Sequence, residues 1–218
     1  MRTITKRLIA YALIFVIAIL VLNFPVTTRQ GINGELFIRK IPLYAKIGGF
    51  LYRNYQYKEL ALRITEGNKN DTDKVEAVYN WTTENIKSPP EGFPIVDDHI
   101  WDIIVRGYGV RGQKADVFTT LASYAGYEAF WEKLYSSRVD KPLVLSFVRI
   151  GNKWHIFDVY NKKAFISTEG LALPTPSGPA YVEYLKTMDK AKFKSCLRRP
   201  DRQKILSRII HEFKRLFR

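Results

Sequence analysis

The sequence predicts an α+β fold: a run of helices followed by an antiparallel meander, with one buried helix at the centre. Two observations carry the helical half. Val75, Val78, Trp81, Thr82 and Ile86 recur at helical spacing, and so do Ala115, Phe118, Leu121, Ala122 and Ala125. A third observation carries the other half. After residue 128 the pattern changes to short β-rich runs punctuated by the turn dipeptide Gly151-Asn152. Helices first and sequential strands afterwards describe an α+β domain.

The chain opens with Arg2, Lys6 and Arg7, followed by the uncharged run from Leu8 to Phe24. At ~1.5 Å per residue that run spans roughly 25 Å, near the short limit for a bilayer. No small-residue cleavage site follows it, so it reads as an uncleaved transmembrane signal anchor. The positive-inside rule then puts the basic N-terminus in the cytoplasm and the body outside. Thr27 to Glu35 reads as a polar linker. Leu36 to Thr65 mixes Tyr44, Phe50, Tyr52, Tyr55 and Tyr57 with Arg39, Lys40, Lys46 and Arg53, and reads as one or two amphipathic helices near a membrane.

Asp73 to Lys87 is the next predicted helix, capped by Asp71 or Thr72 and stopped by Pro89-Pro90. A loop with the polar cluster Asp97, Asp98 and His99 leads into the central stretch. Here Gly107, Gly109 and Gly112 promise a tight backbone approach, and Gly126 a helix stop. Four strands are expected over 129–135, 143–150, 153–160 and 164–168. Beyond a Pro-rich break at 174–179, helices are expected from Ala180 and over Asp201 to Arg218. The domain organisation that results is a basic segment 1–7, an anchor 8–24, a linker and amphipathic segment 25–70, a domain 71–170 and a basic C-terminal segment 171–218.

The formal charge is +14 over 218 residues. Residues 190–218 hold 11 Lys/Arg and 2 Asp/Glu, so 11 − 2 = +9 of it lies there. In the last helix Ile205, Leu206, Ile209, Ile210, Phe213, Leu216 and Phe217 line one face against Lys and Arg on the other. This pattern fits either docking on the domain or an anionic lipid surface. The single cysteine, Cys196, excludes an internal disulfide. His99, His155 and His211 are far apart, which argues against a zinc site, and no cofactor is implied. Nucleic acid as a partner would need cytoplasmic access and is disfavoured.

The residues from Arg106 to Ala129 and from Gly151 to Asn161 together carry a resemblance. GYGVRGQKADVFTTLASYAGYEA and GNKWHIFDVYN resemble the transglutaminase-like superfamily, related to papain-like cysteine proteases. The lead-in helix KVEAVYNWTTENI resembles it too. The resemblance implies a Cys opening the buried helix, a His on a following strand, and an Asp four residues after a Trp. Here Arg111 stands at the Cys position, no His stands near Leu143 or Val144, and only Asp158, after Trp154, is retained. Arginine is neither nucleophile nor base at neutral pH. The expectation is therefore a degenerate member lacking the catalytic pair, leaning away from enzyme activity. Arg111, Asp116, Asp158, Trp154 and His99 are the candidate pocket residues. An internal Arg111–Asp158 salt bridge is one expected use of the charge, and an acidic ligand such as a carboxylated sugar is the other. His155, three residues from Asp158 on one strand, should point to the opposite face and act as a surface or packing residue. The functional expectation is a membrane-anchored binding or scaffolding component of the cell envelope, with polysaccharide, peptide or protein partners. The alternative is an acyl-transferase or amidohydrolase working through a rearranged site.

Overall fold

The computed structural model describes residues 2–165 except 33, 34, 97, 98, 137, 138 and 152. Cys196, His211, Asp97, Asp98 and both expected C-terminal helices therefore lie outside the described residues. The elements run α1 (Arg2–Leu22), β1 (Pro25–Ile32), β2 (Glu35–Pro42), α2 (Leu43–Thr65), α3 (Asp71–Asn85), α4 (Ile100–Arg106), α5 (Arg111–Tyr124), β3 (Glu128–Ser136), β4 (Val139–Ile150), β5 (Lys153–Asp158) and β6 (Lys163–Phe165).

The strands β3-β4-β5-β6 form one antiparallel sheet in chain order. α5 lies across it, and α2, α3 and α4 pack around α5. The core joins Val75, Val78 and Tyr79 of α3, Val117, Phe118, Leu121 and Ala122 of α5, and Ala129, Val148 and Phe157 of the sheet. Phe118 sits at its centre, with Tyr79 and Phe157 rings at 5.9 and 5.0 Å between centroids. The expected central helix and meander are thus both present.

Several local expectations are corrected. The span 27–35 is not a linker. It belongs to a hairpin whose strands pair from Pro25↔Pro42 to Ile32↔Glu35. That register leaves a two-residue connection, and the sequence there is Asn33-Gly34, the strongest short hairpin signal. The following amphipathic region is one helix beginning at Leu43, whose N–H donates to the Phe24 carbonyl at 2.9 Å. The cap of α3 is Asn70, whose Oδ1 accepts from the Asp73 N–H at 2.7 Å. The loop before the centre contains the short helix α4, entered at His99.

α1 is helical from Arg2 to Leu22, and its large apolar residues from Leu8 onward are exposed. It ends two residues before Phe24, so the uncharged helical part is Leu8–Leu22. Among the described residues no helix is long and apolar enough to cross a membrane.

Two buried hydroxyls, Ser146 Oγ and Tyr79 OH, have no hydrogen-bond partner among the described residues. An unsatisfied buried hydroxyl costs on the order of 1 kcal/mol or more. Ser146→Ala should therefore raise stability by about 1 kcal/mol. Phe118→Ala should lower it by about 3–5 kcal/mol through the cavity it leaves. Urea denaturation of both variants checks the pair, and the opposite signs are the diagnostic result.

Candidate functional site

The site begins with the way α5 is delivered. α3 ends at Asn85, and the chain then pairs with the segment after α4. The Lys87 N–H donates to the Gly107 carbonyl at 2.8 Å, and the Gly109 N–H donates to the Lys87 carbonyl at 3.0 Å. Gly107 has φ +73°, a left-handed conformation that closes α4. A Cβ on Gly109 would come within 3.1–3.3 Å of Gln113 and Ile103. Gly107 is required by the turn, and a side chain at Gly109 would oblige Gln113 and Ile103 to shift. Gly112, already inside α5, is under no such constraint, since a Cβ there would meet only the Trp131 ring at an ordinary 3.7 Å.

Gln113 then fastens the start of the helix. Its Oε1 accepts from the Val110 N–H at 3.2 Å and its Nε2 donates to the Val96 carbonyl at 2.7 Å. At the far end α5 closes with a Schellman motif. The Tyr127 N–H reaches the Ala122 carbonyl, the Gly126 N–H reaches the Ser123 carbonyl, and Gly126 takes φ +101°. Gly126 is the helix stop the sequence announces.

Arg111 is the first residue of α5. Its guanidinium lies over the Tyr160 ring, 4.4 Å from the centroid, and Nη1 approaches the Pro142 carbonyl at 3.5 Å. Arg111 thus meets residues adjacent to the other two positions marked by the resemblance, not those positions themselves. Arg111 meets the start of β4, where the His is missing, and Tyr160, two residues beyond Asp158. The expected Arg111–Asp158 ion pair does not form. Asp158, 1% exposed, turns both oxygens to Asn161, accepting from its backbone N–H at 3.0 Å and its Nδ2 at 2.6 Å. The carboxylate is already satisfied inside the turn that follows β5.

One charged group here escaped the sequence reading. Lys114 is only 5% exposed. Its Nζ lies 5.3 Å from the centroid of the same Tyr160 ring and donates to Ser88 Oγ at 3.3 Å. It pairs with no carboxylate among the described residues. Burial, and then the charges of Lys162 and Lys87, hold its pKa below the ordinary 10.5. A signal was present, because Lys114 precedes Phe118 by four residues and Leu121 by seven, on the apolar stripe itself.

The remaining candidates are spread out. Asp116 lies one turn along α5 and accepts from Trp131 Nε1 at 2.6 Å, tying the helix to β3. Trp154 is on the far face of the sheet, edge-on to Phe130, which stacks on Phe147. It does not line the Arg111 site. His99 caps α4 through its carbonyl, which accepts from the Asp102 and Ile103 N–H groups. His155 is 7% exposed and opposes Val148 across the ladder on the α5 face, a packing position that alternation separates from Asp158.

Three tyrosines around the core resist ionisation. Burial and the nearby Asp158 charge push Tyr79 up to about 12. Burial raises Tyr57 and Tyr127 as well, and Tyr127 also donates to Asp71 at 3.0 Å. A raised pKa means that the folded state holds the proton longer than the unfolded one. The stability from Tyr79 is thus whole below pH 10 and is lost as pH rises to about 12. Tyr79→Phe, which also removes the unpartnered hydroxyl, should flatten this alkaline loss without lowering stability at neutral pH. Denaturation midpoints at pH 9 and pH 11 test it.

Residues 58–159 match the family model of the transglutaminase-like superfamily. No curated protein matches the chain. Among solved structures, a candidate cysteine protease from Cytophaga hutchinsonii is similar at 21% identity and a TM-score of 0.43, over 49% of this chain and 37% of that one. A candidate protease from Parabacteroides distasonis is similar at 13% identity and a TM-score of 0.38, over 67% of this chain and 41% of that one. A TGase is similar at 12% identity and a TM-score of 0.40, over 71% of this chain and 48% of that one. The chain spans less than half the length of each of these three structures.

Proposed function

We propose that the protein, whose residues 58–159 match the transglutaminase-like family model, is a membrane-anchored, non-catalytic member of that class. It binds an anionic ligand at the position where the family carries its nucleophile. The observation that carries the reading is Lys114, buried without a carboxylate partner and facing the same Tyr160 ring as Arg111. A buried ammonium without a counter-charge is costly, on the order of several kcal/mol. The chain can relieve this by shedding the proton, which the lowered pKa reflects. A carboxylate, sulfate or phosphate entering beside Arg111 relieves it the other way. The positive dipole end of α5 favours the same charge. A fixed guanidinium at the nucleophile position and no His at Leu143 or Val144 support a binding role over acyl transfer.

The anchor is α1. Its support is the uncharged, solvent-exposed run Leu8–Leu22 preceded by Arg2, Lys6 and Arg7. At ~1.5 Å per residue these 15 residues reach roughly 22 Å, which requires local thinning of a bilayer core of ~30 Å. By the positive-inside rule the basic flank favours a body outside the cytoplasm. A ligand in the cell envelope, such as an acidic polysaccharide or an acidic face of an envelope protein, suits that location. The basic C-terminal segment, 171–218, adds a route to anionic lipid.

The Lys114–Ser88 contact favours a second reading, a serine–lysine pair. Neutral Lys114 would take the Ser88 hydroxyl proton while Oγ bonds to an acyl carbon and its leaving group departs. The two readings have opposite pH dependence. Anion binding needs protonated Lys114 and weakens as pH rises through its lowered pKa. Serine attack needs the neutral amine and strengthens over the same interval.

Calorimetric titration of the full chain with oligogalacturonate tests the first reading. Arg111→Ala should weaken binding about 10–100-fold, the loss of one or two charge-assisted hydrogen bonds. Affinity should fall on the alkaline side below pH 10.5, with proton uptake on binding. Equal affinity in the variant, or none in the parent, ends the carboxylate reading. A fluorophosphonate that labels the parent but not Ser88→Ala would establish the second reading in its place.

A further inference from the structure

The first half of α2 carries an apolar face that nothing described covers. Tyr44, Ile47, Leu51, Tyr52 and Tyr55 fall at helical spacing and are all exposed, four of them by more than half. The opposite face of the same helix is the one that enters the core, through Tyr57, Ala61, Leu60 and Ile64. A helix whose second half is anchored in the core thus holds its first half out with the aromatic stripe unpartnered.

The neighbouring elements extend the same character. α2 packs against β1 and β2 and touches α1. On β2, Phe37 and Ile38 are exposed, as is Phe24 between α1 and β1. Residues 25–58 hold six bases, Arg29, Arg39, Lys40, Lys46, Arg53 and Lys58, against one acid, Glu35. Lys46 is engaged with the Thr27 carbonyl at 2.7 Å.

We infer that the Tyr44–Tyr55 stripe of α2, with the exposed edge of the β1–β2 hairpin, lies in the headgroup region of an anionic bilayer. Tyrosines are suited to that depth, with the ring in the acyl boundary and the hydroxyl in water. The surrounding bases meet anionic headgroups. Continuity with the exposed apolar residues of α1 favours lipid over nucleic acid, which would be served by the bases and rings but not by α1. The inference rests on α1 as the membrane anchor and adds a second, in-plane contact to it.

Single cysteines in a Cys196→Ser full-length chain carry an environment-sensitive NBD label. Tyr44, Leu51 and Tyr55 report the stripe, Ala18 reports α1, and the exposed Glu84 of α3 serves as an aqueous reference. The labelled proteins are reconstituted into vesicles of phosphatidylcholine and phosphatidylglycerol containing shallow or deep doxyl lipids. The stripe labels should be blue-shifted and quenched by shallow doxyl lipids. Ala18 should be quenched by deep ones, and Glu84 by neither. Loss of the stripe signal in pure phosphatidylcholine would support the electrostatic part. Stripe labels that read like Glu84 while Ala18 is quenched overturn this inference and leave the anchor standing. A stripe that is blue-shifted without doxyl quenching is covered by a second copy of the chain, and one that responds to added polyuridine takes nucleic acid; either overturns the lipid assignment. Aqueous spectra at Ala18 and at the stripe overturn both.

Discussion

Burial of α5 on nearly every side is the constraint from which the rest of the domain follows. Lys114, Ala115, Val117, Phe118, Thr119, Leu121 and Ala122 are all buried, so the helix needs a sheet on one side and other helices on the remaining ones. The meander supplies the first and α2, α3 and α4 the second. Along the middle of α5 only Asp116 and Thr120 are partly exposed; the other partly exposed residues lie toward its ends. Its C-terminal end is closed by the Schellman turn at Gly126, which leaves the N-terminal turn as the place where chemistry can be displayed. The pairing of Lys87 with Gly107 and Gly109 fixes where that turn stands.

Within this frame the N-terminal turn of α5 carries cations rather than a thiol. The start of α5 meets β4 at the Pro142 carbonyl and the turn after β5 at Tyr160. Cations stand where an acidified thiol and its base would be expected. Arg111 rests on an aromatic face, an arrangement that holds a guanidinium without neutralising it. Lys114 is deeper, so its charge depends on what stands next to it. An aromatic ring shared by two cations, with no acid among them, is an unusual charge balance for the inside of a small domain, and it is the reason to read the site through its ligand.

Much of the fold was legible in the sequence because its signals are local. Val75, Val78 and Ile86 give the period of α3. Gly126 marks the end of α5, and Gly151 the turn between β4 and β5. The hairpin at Pro25–Pro42 was missed although Asn33-Gly34 announces it, because the polar residues around it read as a connector. The site was less legible. The position of Arg111 followed from the family pattern, yet its partner did not, since sequence spacing cannot show that Asn161 already satisfies Asp158. Lys114 was overlooked because lysines are rarely buried, even though its place on the apolar stripe was visible. Trp154 was assigned to the site from its motif, while strand alternation sends it to the other face of the sheet.

The hairpin between α1 and α2 has a consequence for how the site is presented. Its strands pair from Pro25↔Pro42 to Ile32↔Glu35, and α2 begins at a hydrogen bond to the Phe24 carbonyl, so the end of α1 and the start of α2 are neighbours. A domain on a flexible tether samples a volume set by the tether's length. A domain whose first helix starts beside the end of an anchor is held close to one height, and its encounters become a search in two dimensions. With α1 inserted in a bilayer, the ligands available to Arg111 would be those at one level above the lipid. Lengthening the connection at Asn33-Gly34 would leave that level unchanged, because Pro25 and Pro42 pair at the base of the hairpin and the connection lies at its far tip.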